Sequence, residues 1–155
     1  MLESPQIVHT DAQLAAVIRL TIPREEIQAV MGPAIADVFA AIAAQGVDPA
    51  GPVFSHHLRL EPGIFDFEVG VPVRAPISPA GRVKGGFLPA ATVVRTVYTG
   101  PYEGLPQAWG EFMALLEGQG HALADEAWES YLHSPAQDPD PGSWRTELNR
   151  PLQSA

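Results

Sequence analysis

The sequence predicts an α+β fold: tandem duplicated β-α-β-β units forming an antiparallel sheet with two packed helices and a central ligand cleft. Three observations carry this. The same order of elements occurs twice, short segments of the two halves align without gaps, and a stretch rich in proline and glycine separates them. The whole of 1–155 then reads as one domain, with pseudo-repeats at about 13–73 and 91–152 and a linker at 75–86.

The first unit opens on QLAAVIRLTI (13–22), an apolar, β-branched run closed by Pro23, which suits a buried strand. From about Glu25 to Gln45, apolar residues at Ile27, Val30, Met31, Ile35, Val38, Phe39 and Ile42 fall three and four apart on one helical face. Gly46 is the expected stop. Pro33 lacks an amide hydrogen, so the helix proper is expected to begin near it, with proline at its first position. VDPAGP is a loop, VFSHHLRL (53–60) a strand, EPG a turn and IFDFEVGVPV (64–73) a second strand.

The second unit repeats the order. ATVVRTVY (91–98) is a strand, and residues 105–117 form a helix with Leu105, Trp109, Phe112, Met113 and Leu116 on one face. EAWESYLH (126–133) is a strand, 134–142 a turn, and SWRTELNRPL (143–152) the last strand. Residues 63–73 align on 142–152 with Gly63/Gly142, Glu68/Glu147 and Pro72/Pro151 identical. VFSHHL (53–58) lies on AWESYL (127–132), with Phe54 opposite Trp128 and Leu58 opposite Leu132. A ligand of such a duplicated fold belongs between the halves.

Composition narrows the chemistry. There is no cysteine, which excludes a disulfide framework, a thiolate metal site and a cysteine nucleophile. Nine basic against eighteen acidic residues give a formal charge of −9, which repels a phosphate backbone and favours a cationic ligand. The amino terminus has neither a basic nor an apolar segment of a signal peptide. No apolar stretch reads as a membrane span, so a cytoplasmic location is expected. His56 and His57 are adjacent on a strand and point to opposite faces, and neither HExxH nor His-x-His occurs, so no metal and no other cofactor is expected.

The strongest local signal is Trp128-Glu129-Ser130-Tyr131. Alternation puts Glu129 and Tyr131 on one strand face and Trp128, Ser130 and Leu132 on the other. The aligned residues of the first half are Ser55 and His57. Such a polar row is either a solvated face or a pocket carboxylate beside an aromatic hydroxyl, suited to a cation or to acid–base work. Tyr102, in Thr99-Gly100-Pro101-Tyr102-Glu103, lines a cleft or caps the core. Trp109 and Trp144 stand at spacings that favour the core. Glu68 and Glu147, at equivalent positions, suggest a structural duty performed twice.

In order along the chain come Arg19-x-x-Ile22-Pro23, Gly51-Pro52-x-Phe54, Asp66-Phe-Glu-Val-Gly-Val-Pro72, Leu88-Pro89, Gly100-Pro-Tyr-Glu-Gly-Leu105, Trp128-Glu-Ser-Tyr-Leu132 and Trp144-Arg-Thr-Glu-Leu-x-x-Pro-Leu152. With these motifs the sequence resembles the GyrI-like small-molecule-binding domain, also called the AraC-type or bacterial transcription-activator effector-binding domain, over about residues 8–153. The resemblance implies a pocket for small hydrophobic or cationic molecules, with aromatic walls and a buried glutamate. By motif the glutamate is Glu129, the tyrosine beside it Tyr131, and Tyr102 the one after the preceding strand; Trp109, Phe54, His57 and Trp144 complete the expected contacts. It also implies a stand-alone member, monomeric or homodimeric, that binds no nucleic acid by itself. Two other functions are known among such members. One is hydrolysis of electrophilic cyclopropane-type xenobiotics, for which Glu129, Tyr131 and Tyr102 would be catalytic; the other is gyrase-inhibitor-like protein modulation.

Overall fold

The computed structural model describes residues 2–133 and 138–153, so the turn expected at 134–142 lies partly outside the described residues. Eight strands form a single sheet: β1 (Gln6–Thr10), β2 (Gln13–Pro23), β3 (Phe54–Glu61), β4 (Ile64–Pro72), β5 (Lys84–Leu88), β6 (Ala91–Thr99), β7 (Ala127–His133) and β8 (Arg145–Pro151). Their spatial order is β1-β6-β8-β7-β3-β4-β2-β5, antiparallel throughout. Read outward from the central β7–β3 pair, each half places the equivalent strands in the same succession. The duplicated β-α-β-β architecture follows directly.

Two strands lie outside the expected set. β5 occupies the end of the stretch read as linker, and β1 precedes the first repeat. Both are edge strands with largely exposed side chains, so neither shows a buried apolar run, and Gly85-Gly86 reads as a breaker. Glycine is needed at 86 because a Cβ there would come within 2.9 Å of Val17 Cγ2.

Helix α1 (Ile27–Ala44) packs on β2 and β4, burying Ala34, Val38, Ala41 and Ile42 against Ile18, Phe67, Val69 and Val71. Helix α2 (Leu105–Gly118) packs Ala108, Phe112 and Leu116 on Val94, Tyr98 and Leu148. Both helices end alike. Gly46 and Gly120 take positive φ, and the next residue's amide, Val47 or His121, bonds back to Ile42 or Leu116 O. This Schellman geometry satisfies carbonyls that the helix end would strand.

The structure corrects three expectations for the first helix. Pro33 lies inside α1, which begins at Ile27 after a 3-10 turn at Arg24–Glu26. Gly32 offers no Cβ to clash with the proline ring, and Ala29, whose carbonyl loses its helical partner, is exposed to water. The buried face is also rotated toward the alanines, leaving Phe39 exposed. Finally, Arg24–Ala44 is long and apolar enough to cross a membrane by length and composition alone. Its apolar stripe is instead spent on the sheet as one side of the core.

The central strands carry matched irregularities. Pairing of β3 with β4 shifts register between His57 and Arg59, and pairing of β7 with β8 shifts between Tyr131 and His133. The extra residues, Leu58 and Leu132, are the pair that aligns in the two repeats. Such bulges bend and twist a strand, which accounts for the curl of the sheet.

Replacing Pro33 by alanine restores the hydrogen bond to Ala29 O and relieves the ring contact. About 3 kcal/mol for an interior proline, less about 0.4–1 kcal/mol for the freer unfolded chain, leaves a gain of about 2 kcal/mol. Urea unfolding of Pro33→Ala should show a higher midpoint with an unchanged slope.

Candidate functional site

Strand alternation and the observed register decide which side chains meet. On the helix-covered face, β7 presents Ala127, Glu129 and Tyr131. Beside them stand Ser55 and His57 of β3, Thr146 and Leu148 of β8, and Phe67 and Val69 of β4. This row lies between the part of the sheet under α1 and the part under α2.

Glu129 is at its centre. The Trp109 indole N–H from α2 donates to Glu129 Oε2, the Tyr131 hydroxyl donates to Oε1 at 2.9 Å, and the Ser55 hydroxyl approaches Oε1 at 3.4 Å. Ser55 Oγ and Tyr131 Oη are themselves 2.8 Å apart. Among the described residues no cationic side chain pairs with this carboxylate. Burial raises its pKa above the ordinary 4.5, and the three donors only partly offset that cost. Tyr131 is pushed well above 10 by burial and by the adjacent carboxylate; Tyr102 rises for the same two reasons, so both phenols keep their protons.

Tyr102 sits on the 3-10 turn Tyr102–Gly104 ahead of α2, with its ring 5.7 Å from Tyr131 and 4.8 Å from Trp144. Trp144 is fixed in turn by its N–H to Asp138 O at 2.8 Å. Tyr98 holds the Tyr102 turn: its hydroxyl donates to Pro101 O at 2.9 Å, and a Cβ on Gly104 would run into the Tyr98 hydroxyl oxygen. On the first-half side, His57 stacks on Phe67 at 5.1 Å and meets Phe65 edge-on at 4.9 Å. Burial, with His56 and Arg24 nearby, lowers its pKa to about 4, so His57 itself is uncharged at neutral pH. The cation on this side is Arg24, whose guanidinium lies 5.0 Å over the Phe65 ring.

The structure therefore brings Glu129, Tyr131, Tyr102, Trp109 and Trp144 together, with His57 on the same face. It separates Phe54, which is wholly buried on the opposite face with Ala15 and Val17. Phe54 alternates with Ser55, so it cannot share a pocket with Glu129, and its place among the contacts is a correction. Glu68 and Glu147 also lie on the opposite face, 3.9 Å from Lys84 Nζ of β5 and 3.3 Å from Arg95 Nε of β6, so the equivalent carboxylates take cations from different strands. Sequence reasoning missed the bonding of Ser55 to the Glu129–Tyr131 pair, although the repeat alignment set Ser55 opposite Glu129. It also missed Tyr98 as the anchor of Tyr102.

Tyr102, Trp109, Tyr131 and Trp144 border the space beside Glu129, each partly exposed. Two concavities of about 340 and 300 Å³ lie elsewhere, one lined by Asp37, Arg82 and Val83, the other by Tyr98, Gln107 and Glu111. Neither is bounded by Glu129. The chemistry favours the Glu129 site, because among the described residues it alone combines an unpaired buried carboxylate with aromatic walls.

An antiparallel sheet under two helices, with a buried carboxylate among aromatic rings, defines a class of compact small-molecule-binding domains. The chain belongs to one family of that class, the GyrI-like small molecule binding domain, whose sequence model matches residues 3–153. No curated protein sequence matches it. Among solved structures, the EcmrR C-terminal domain is 19% identical with a TM-score of 0.84, the match covering 98% of each chain. In the EcmrR–DNA complex the same likeness (20% identity, TM-score 0.84) covers 98% of this chain but only 58% of EcmrR. SAV2435, solved bound to tetraphenylphosphonium, is 10% identical with a TM-score of 0.74, covering 98% of this chain and 95% of that one. A hydrolase from Listeria innocua is 14% identical with a TM-score of 0.58, over 96% and 91%.

The raised pKa of Glu129 has a definite sign. As pH climbs past 4.5 the unfolded chain releases this proton first, so the folded state binds more protons and loses stability until the folded pKa is passed. The melting temperature of Glu129→Gln minus that of the parent should therefore grow with pH above 4.5 and level off beyond the folded pKa. A difference constant with pH would show an ordinary carboxylate.

Proposed function

We propose that this protein binds small hydrophobic or cationic molecules between its two helices and holds them there, as in drug or xenobiotic sequestration in the cytoplasm. The observation that carries this reading is the Glu129 carboxylate, buried with three neutral donors and, among the described residues, no cationic partner. A lipophilic cation supplies the missing charge, while Tyr102, Tyr131, Trp109 and Trp144 offer ring faces and His57 adds no competing charge. The ligand enters by displacing the Tyr102 turn, the aromatic element that covers Tyr131. SAV2435, of the same fold, binds tetraphenylphosphonium, which supports a ligand of this kind.

The test is a matched pair, trimethylphenylammonium against its neutral isostere tert-butylbenzene, titrated by tryptophan fluorescence. Each cation–π contact is worth about 0.5–2 kcal/mol, so with the carboxylate the cation should bind at least about tenfold more tightly. Glu129→Gln should abolish the difference and leave the fold intact. Equal affinities in the parent protein would sink the reading.

A second reading rests on the raised proton affinity of Glu129 and the Tyr131 hydroxyl bonded to it. That pair suits acid–base work, and the likeness to a hydrolase from Listeria innocua points the same way. Water would add across a strained ring bond of a cyclopropane-type electrophile, hydroxyl to one carbon and proton to the other. Glu129 would take one proton from the water as its oxygen bonds to a ring carbon, and Tyr131 would give its proton to the other carbon as the ring bond breaks. The proton on Glu129 would return to Tyr131 along their hydrogen bond; Tyr102 is the alternative proton donor. Mass spectrometry should then find a water adduct, and Glu129→Gln should lower kcat by about 10²–10⁴. Ligands recovered unchanged after long incubation leave the protein a binder.

A further inference from the structure

On the floor of the site, Thr146 breaks the apolar pattern. It pairs across the sheet with Tyr131 of β7 and with Tyr98 of β6, and it stands two residues from Leu148 on β8, so its side chain shares the helix-covered face. The residue has no solvent exposure, and its hydroxyl has no hydrogen-bond partner among the described residues. The repeat gives the contrast. The aligned residue of the first half is Phe67, also wholly buried, whose ring stacks against His57. Where one half spends a phenyl ring, the other has a methyl group and a free hydroxyl beside Tyr131, on the strand that follows Trp144. A stranded buried hydroxyl weakens a fold, and an apolar residue of the same shape is available in valine. The donor hydrogen is the more expensive half of that deficit, since oxygen lone pairs tolerate under-use.

We infer that the Thr146 hydroxyl is a ligand contact: it donates to an acceptor oxygen on a molecule that displaces Tyr102, while Glu129 holds the cationic end. This rests on the small-molecule reading above and narrows the ligand class. Glu129 pairs with Leu148, so Thr146 is its diagonal neighbour across the strands, about 7–8 Å away. The preferred ligand is an aromatic cation with an ether or carbonyl oxygen about one ring's length from its charge.

Two phosphonium probes test this: para-methoxybenzyl-triphenylphosphonium, which carries an ether oxygen at that distance, and its para-ethylbenzyl isostere, which carries a methylene instead. The parent protein should bind the methoxy probe about fivefold more tightly, the worth of one ordinary hydrogen bond. Thr146→Val should erase that ratio without weakening the ethyl probe, and Thr146→Ser should retain it. Without ligand, Thr146→Val should melt at the parent temperature or higher. Equal binding of both probes by the parent overturns the role of Thr146 and leaves the binding reading standing. Failure of the ethyl probe to bind at all overturns both. A melting temperature several degrees lower in Thr146→Val also overturns the inference, because the hydroxyl would then be satisfied within the fold.

Discussion

The pairing of β3 with β7 is the constraint on which the rest depends. These two short strands join the halves of the sheet, and their register sets Ser55 against Glu129 and His56 against Trp128. Displacing that register by one residue would exchange the faces, turning Glu129 toward the ion-paired side and the Trp128 ring into the space between the helices. Hydrophobic packing protects against this from both sides. Leu148 and Val69 are wholly buried beside the row on the helix face, while Phe54 is sealed on the other. A carboxylate can be held away from water here because its neighbours fix where it points.

Around that carboxylate the two halves have diverged in chemistry while keeping their backbone. The second half supplies Glu129, Tyr131, Trp109, Tyr102 and Trp144; the first supplies a histidine stacked on Phe67 and one small hydroxyl, Ser55. Duplication thus gives an asymmetric site on a symmetric frame, with charge concentrated on one wall and rings on both. On the opposite face the carboxylates Glu68 and Glu147 occupy equivalent positions, although their cations, Lys84 and Arg95, come from different strands.

Much of this was legible in the sequence. The strands of the repeats, the second helix and the facing of Glu129 with Tyr131 follow from periodicity, because buried apolar runs and strict alternation leave few other arrangements. What was not legible has physical causes. β1 and β5 are edge strands with no buried pattern to betray them. Pro33 is tolerated mid-helix because Gly32 and open water relieve it, which periodicity does not register. Phe54 is an expected aromatic contact, yet its alternation with Ser55 on β3 turns it to the face away from Glu129. The partnership of Ser55 with Glu129 depends on a pairing between strands more than seventy residues apart, which local spacing does not encode.

The matched bulges at Leu58 and Leu132 have one more effect. Beyond each bulge the alternation changes phase, so Arg59 joins His56 on the outer face and pairs with Asp66, and His133 comes opposite Arg145. Each strand is thereby divided into an inner segment that aims the site and an outer segment whose phase is set independently. Lengthening or shortening the outer hairpins during evolution can be absorbed at the bulge, without turning Glu129 or His57 away. The frame thus separates the part of each repeat that must keep its alignment from the part free to drift.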